Sequence, residues 1–347
     1  MAYISFQPND YFNTKLYTGN ATDNHAITGV GFAPDFTWIK NRANAYDHML
    51  FDALRGTGSL RENLRSNTND ASDNDATNLK TLDSDGFTLG TGGYVNHAST
   101  FVSWNWKANG AGVSNTDGSI TSTVSANTTS GFSIVKYTNP SSGSPFTVGH
   151  GLGSPPKVII VKNITGSAQN WGVWHTGIAF GKYLQLNTTI AEGAANLVTA
   201  TSNTTFSTYY DHHTSGVDLI AYCFAEKTGF SKFGLYQGNS NADGAFIYTG
   251  FKPAWVMIKQ ATGGDANEVW GIRDNVRDTF NPITKSLVAN ATSAEGTTSS
   301  HYVDFVSNGF KIRTGTENSL NTNYGYIYMA FAEAPLVSSN GVPVTAR

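Results

Sequence analysis

Cysteine is almost absent: Cys223 is the only one in 347 residues. A single thiol excludes an intrachain disulfide framework and any zinc site built from several cysteines. Charge is scarce as well. Asp, Glu, Lys and Arg make up 14% of the chain, against a usual level of about 25%, and long helices need such residues on their wet faces. The 22 basic and 25 acidic side chains leave a formal net charge of -3, which gives no general grip on nucleic acid. The densest basic stretch, Arg55, Arg61 and Arg65, is diluted by Asp52 and Glu62. No run approaches the ~20 apolar residues of a membrane helix. The opening stretch, Met1 to Asp10, has neither the basic nor the apolar region of a secretory signal. The expectation is a product made in a cytoplasm, with no membrane insertion.

What the chain does hold is glycine, aromatics and small polar residues. There are 36 Gly, 20 Phe, 16 Tyr and 7 Trp, and hydrophobic residues reach 39%. That much apolar surface can fill several cores and argues against disorder. A surface covered by Thr, Ser and Asn suits strands and turns. The predicted class is all-β.

Four blocks recur in the same order three times. Phe12 to Asn20 resembles Phe230 to Asn239, with a shorter middle copy from Phe132 to Asn139. Gly31-Phe-Ala-Pro34 to Lys40 matches Gly250-Phe-Lys-Pro253 to Lys259, and Pro156 to Lys162 stands between them. Asn187 to Gly193 matches Asn290 to Gly296, with Asn67 to Ala71 as the first copy. Each repeat closes on an aromatic strand: Phe101 to Trp106, Leu219 to Phe224, and Tyr326 to Phe331. Ordered blocks at similar offsets predict units near 1–111, 112–228 and 229–347. Residues 108–118 read as a Gly/Asn-rich linker, while the short joint near Glu226 to Gly229 implies that the second and third units touch. Apolar residues alternate with period two, Phe36 and Trp38 on one face and Thr37 on the other. Short strands with Asp85-Gly86 and Asn308-Gly309 turns, in units of about 100 residues, predict three tandem antiparallel β-sandwich or jelly-roll units.

The chemistry-bearing residues point away from catalysis. No Gly-x-Ser-x-Gly elbow, His-Glu-x-x-His or phosphate-cradling Gly loop occurs, so no enzyme and no cofactor is expected. Asp70, Asp73 and Asp75 form the one acidic cluster, but without the Gly and distal Glu of a calcium loop. Asp52 and Arg55 recur as Asp274 and Arg277; in a strand, positions three apart face opposite ways, so each is expected to pair across to a neighbouring strand. The middle repeat has His175 and Ile178 there. Trp104 and Trp106 have large apolar counterparts and read as core, as does Cys223. Trp171, Trp174 and the Tyr209-Tyr210 pair lack counterparts in both other repeats. Tyr209, Tyr210, His212 and His213 mix rings with hydrogen-bonding tips, and this loop is the predicted ligand contact. The adjacent His212 and His213 suit one metal poorly unless they sit in a loop.

Several blocks resemble a module of virion structural and tail-fibre proteins from tailed phages of the marine type. They are Gly31-Phe-x-Pro34-x-x-x-Trp38-Ile-Lys40, Asp52-x-x-Arg55-Gly56, Ser84-Asp-Gly86-Phe87 and Phe101-Val-x-Trp104-x-Trp106-Lys107, joined by Asn290-x-Thr-x-Ala-Glu-Gly296 and Ser307-Asn-Gly309-Phe310. The middle repeat lacks a clear Ser-Asp/Asn-Gly-Phe block, so its sheet edge is expected to differ. The resemblance implies lectin-like β-sandwiches and a place in the virion, and it transfers no catalytic residue. Three functions compete: a tail-fibre adhesin contacting host surface polysaccharide, a capsid or tail decoration protein held by other virion proteins, and a polysaccharide-degrading spike. The absent acid pair counts against the third. A non-enzymatic virion surface protein working by multivalent contact, with self-association into a homo-oligomer, is the expectation.

Overall fold

A computed structural model describes residues 6–55, 62–140, 145–209, 214–263, 268–297, 302–315, 319–337 and 343–344. Nearly all regular structure in them is β. The helical exceptions are one 3-10 turn, Pro8–Asp10, and one α turn, Gly93–Asn96. Among the described residues no helix is long and apolar enough to cross a membrane.

Three large antiparallel sheets repeat one strand order. The first runs Phe12–Thr18, Thr100–Trp106, Phe36–Asn41, Met49–Asp52, Glu62–Arg65 and Asp73–Asn74. The third runs Ser231–Gln237, Gly325–Ala332, Pro253–Gln260, Gly271–Asp274, Lys285–Val288 and Gly296–Thr297. In the second the same order is Phe132–Thr138, Asp218–Phe224, Val158–Asn163, Gly172–His175, Lys182–Gln185 and Gly193–Ala194. Two more strands, Val113–Asn115 and Ser122–Asn127, extend its edge. Three residues of the stretch read as a linker, Val113–Asn115, are therefore built into the sheet. Gly110 and Gly112 turn the chain at φ of 67° and 58°, and Gly112 lies against Leu54 so closely that a side chain would collide.

Each large sheet is accompanied by a three-stranded one. These are His25–Thr28 with Gly86–Leu89 and Leu79–Asp83, Phe146–Gly149 with Thr205–Thr208 and Ala200–Thr201, and Phe246–Tyr248 with Gly309–Ile312 and Val303–Val306. Gly86 and Gly309 are required where they stand: a Cβ would strike the carbonyl of Ile27 or Ile247 on the adjacent strand. The middle hairpin has Thr205 at that place, and its first strand shrinks to two residues.

The inner strands of the large sheets are buried on both faces, which simple alternation did not suggest. Phe36–Asn41 and Val158–Asn163 have no exposed residue; Thr37, on the face opposite Trp38, is buried and donates to Asn105 Oδ1 at 3.1 Å. In the first and third repeats one face packs on the small sheet, as Ile39, Phe51, Phe87 and Phe101 do, or Ile258, Phe305, Phe310 and Tyr328. The other faces of all three large sheets meet in one core. Trp106, Phe224 and Phe331 occupy the same register position in the three sheets. Their rings touch pairwise, with centroids 6.4, 5.7 and 5.9 Å apart. Phe36 and Tyr222 lie 4.4 Å apart in the same core. Burying a ring of this size stabilises the closed form by roughly 1.5–3 kcal/mol. The centre retains a void of only about 10 Å³, walled by apolar side chains. The sequence led us to expect contact between the second and third repeats; the first touches both as well.

Candidate functional site

The loop singled out by the sequence is only partly described. Tyr209 follows the strand Thr205–Thr208, is half-buried, and its N–H donates to Asn196 O at 3.2 Å. Tyr210, His212 and His213 lie outside the described residues. Trp171 and Trp174 are core residues, 0% and 3% exposed. The acidic stretch is used locally: Asp73 accepts from Arg65 at 2.6 Å and from Asn63 at 2.8 Å, and Asp75 caps Thr77 at 2.9 Å. Among the described residues no group of three or more His, Cys, Asp or Glu is placed to hold a metal ion. Cys223 is buried, and burial pushes its thiol pKa up, away from reactivity.

Asp52 and Arg55 correct the expectation of cross-strand pairing. They bond to each other, Arg55 Nε to Asp52 Oδ2 at 2.6 Å, with both side chains fully buried. Asp274 and Arg277 do the same at 2.6 Å. The strand ends at the aspartate, and its Oδ1 accepts the N–H of the residue three further on, at 3.0 Å for Arg55 and 2.8 Å for Arg277. That turn brings positions three apart onto one side, where strand geometry would have parted them.

The richest polar constellation lies at the seams between repeats, and it is cyclic. Lys40, Lys162 and Lys259 are the penultimate residues of the equivalent strands. Lys40 Nζ donates to Tyr46 O at 2.7 Å and, across a seam, to Thr292 O at 2.9 Å. Lys162 reaches Gln169 O at 2.8 Å and Asn69 O at 3.1 Å, and Lys259 reaches Glu268 O and Thr189 O, both at 3.0 Å. Asn69, Thr189 and Thr292 each lie two residues beyond the matched asparagines Asn67, Asn187 and Asn290. Those asparagines accept the backbone N–H of His48, Trp171 and Trp270 at 3.0, 2.9 and 2.9 Å. Trp171 Nε1 then donates across a seam to Arg65 O, and Trp270 Nε1 to Gln185 O, each at 2.9 Å. His48 holds that place in the first repeat, facing the Val288 backbone at a looser geometry. First binds third, second binds first, third binds second.

Electrostatics follow from burial. The ammonium groups of Lys40, Lys162 and Lys259 are desolvated among neutral carbonyls, which pulls their pKa values down to about 8, 7 and 8. A partly exposed pair closes the first–third seam: Arg42 grips both oxygens of Glu295 at 3.0 and 2.8 Å.

A second cyclic set joins the ends of Met49–Asp52, Gly172–His175 and Gly271–Asp274 to the neighbouring core. Tyr222 OH donates to Asp52 Oδ2 at 2.7 Å, and Trp104 Nε1 donates to Asp274 Oδ2 at 3.0 Å. At the remaining seam the direction reverses. Met329 stands where Trp104 and Tyr222 do and has no donor, so His175 Nε2–H donates to Tyr328 O at 3.0 Å. Its Nδ1 accepts from Gly177 N–H at 2.9 Å, which fixes the neutral tautomer, and burial lowers the imidazole pKa to about 4.

These groups hold the repeats together and are spent in doing so. In the sequence the three lysines and the three asparagines stand out only as landmarks of the repeat. Their signal was there in outline, a lysine at one repeat position in strands otherwise apolar, but their partners lie up to 252 residues away.

A family model described as a domain of unknown function (DUF7483) matches residues 7–335. No curated protein and no solved structure matches the chain.

Proposed function

The chain belongs to the DUF7483 family, and on that premise we propose that it is a non-enzymatic virion surface protein of a tailed phage, tail-fibre or adhesin-like. Three β-sandwich units, near 1–111, 112–228 and 229–347, close on one core and present their loops to host surface polysaccharide and to other virion proteins. The observation that carries the reading is the cyclic set of seam bonds. Lysines, tryptophans and carboxylates that could have served chemistry are committed to locking three repeats into one rigid body. The resemblance of the repeat blocks to phage tail modules supplies the virion setting.

Rigid closure suits an adhesin because it fixes the spacing of weak sites, and fixed spacing raises the effective concentration of the second and third contacts. Self-association of chains multiplies this further, and sedimentation of the purified protein tests it: a monomer at high concentration removes that level. In this reading Tyr209 and Tyr210, with His212 and His213, form one such contact. Replacing Tyr209→Ala with Tyr210→Ala weakens host-cell binding and leaves stability within about 1 kcal/mol; unchanged binding removes the loop. Immunogold labelling of intact particles tests the setting, gold at the tail or its tip being the expected result. Gold spread over the head replaces the adhesin by a decoration protein.

A further inference from the structure

Resting on the glycan reading above, the geometry points to a binding groove for a neutral oligosaccharide at the seam between the first and third repeats. At the other two seams the chain itself crosses from one repeat to the next. Residues 107–113 cross from the first repeat to the second, pinned by Asp35, which accepts Ala108 N–H at 2.6 Å and Gly110 N–H at 3.0 Å. Residues 225–230 cross from the second to the third, where Lys227 N–H donates to Ser231 Oγ at 3.0 Å. At the remaining seam Glu333 and Ala334 leave the closing strand of the third repeat. Ala254 stands there where Asp35 stands in the first repeat, and a hollow of about 290 Å³ remains.

The lining of that hollow has a consistent chemistry. Asn9, Asn13, Thr14, Asn275 and Glu333 surround it. The side-chain amides of Asn9 and Asn275 make no hydrogen bond among the described residues, and Asn13 uses only its Nδ2, on Val30 O at 2.9 Å. Thr14 is 7% exposed, and its hydroxyl has no partner among the described residues. A second hollow of about 130 Å³ shares Asn275 as a wall, and the Phe280 ring, 81% exposed, stands at its edge. The charges between the two hollows cancel, since Lys252 Nζ lies 2.8 Å from Glu333 Oε2. Accessible amides and a buried hydroxyl match the donor and acceptor pattern of sugar hydroxyls. An exposed aromatic ring offers a stacking face for the C–H side of a pyranose, and the paired charges leave nothing to attract an anionic ligand. The larger hollow approaches the lower end of the size range of small-molecule sites.

The test is calorimetric titration of the full chain with neutral gluco-, galacto-, manno- and N-acetylglucosamine-configured hexasaccharides. At least one binds, and Phe280→Ala and Asn275→Ala each weaken its Kd by about tenfold with an unchanged melting temperature. The Tyr209→Ala and Tyr210→Ala double variant leaves that Kd alone. A bound hexasaccharide indifferent to both groove substitutions and lost with the tyrosines overturns the groove and keeps the glycan reading. Failure of every hexasaccharide to bind also overturns the groove, and the wider reading then survives only if the protein still adheres to host cells.

Discussion

The seams built on Asp52 and Asp274 and the seam built on His175 solve one problem in opposite ways. In each, the end of a short buried strand must make a polar bond to the neighbouring repeat's core strand. Two seams use a carboxylate acceptor and a ring donor, Tyr222 or Trp104. The third uses an imidazole donor and a backbone carbonyl, beside Met329. A buried carboxylate needs a counter-charge, and Arg55 and Arg277 supply it from three residues away. A neutral imidazole needs none, and Ile178 fills that place with apolar volume. The contrast teaches that the fold demands a hydrogen bond at this point and is indifferent to its direction, provided donor, acceptor and counter-ion change together.

The largest break in this comparison comes from removing one member of an ion pair. Arg55→Met leaves Asp52 buried with its charge unopposed, at a cost of about 3–5 kcal/mol in urea unfolding. Adding Asp52→His and Tyr222→Met to Arg55→Ile, which copies the middle repeat, recovers most of that loss. A triple variant no better than Arg55→Met shows that the three positions are not one exchangeable set.

Acid separates the seams next. His175 has a folded pKa of about 4 against an ordinary 6.5, so the unfolded chain binds the proton more readily between those values. Its contribution is complete above about pH 6.5 and is lost as pH falls toward 4, by up to roughly 3 kcal/mol. His175→Gln keeps a donor and an acceptor without titrating there and flattens this part of the stability–pH curve. An unchanged slope assigns the acid sensitivity to His48 and His150, whose pKa values burial also lowers.

The smallest effect sharpens the role of the single bond. Tyr222→Phe removes the donor to Asp52 while keeping the ring in the core, and costs about 1–3 kcal/mol. Met329→Leu at the matching place of the third repeat makes no such bond and costs under about 1.5 kcal/mol. Equal costs from calorimetric melting deny the tyrosine bond its role.

The all-β class was legible from scarce charge, many glycines and period-two strands. So were the matched positions of Lys40, Lys162 and Lys259, which the structure puts to one use. The burial of both faces of the inner strands was not legible, because an alternating pattern reports only that side chains point two ways. What lies beyond each face is decided by chain far away. The i to i+3 pairing of Asp52 with Arg55 was missed because the strand ends at the aspartate, and a turn reverses the facing rule. Residues lining the hollows gave no signal: Asn9, Asn275 and Phe280 stand out in no way in the sequence and gain meaning only from the hollows they line.

The chain's own order of residues determined what acts over short range. Strand alternation, the turn glycines at Gly86 and Gly309, and the threefold recurrence of blocks are of this kind, since each depends on neighbours a few residues apart. Tertiary structure alone decided that three aromatic faces share one core, that the polar bonds between them run in a cycle, and that a polar hollow lies between the first and third repeats. Those outcomes depend on contacts spanning up to 319 residues, as between the stacked rings of Phe12 and Phe331. The side chains that meet there are set by sheets whose neighbouring strands come from distant parts of the chain.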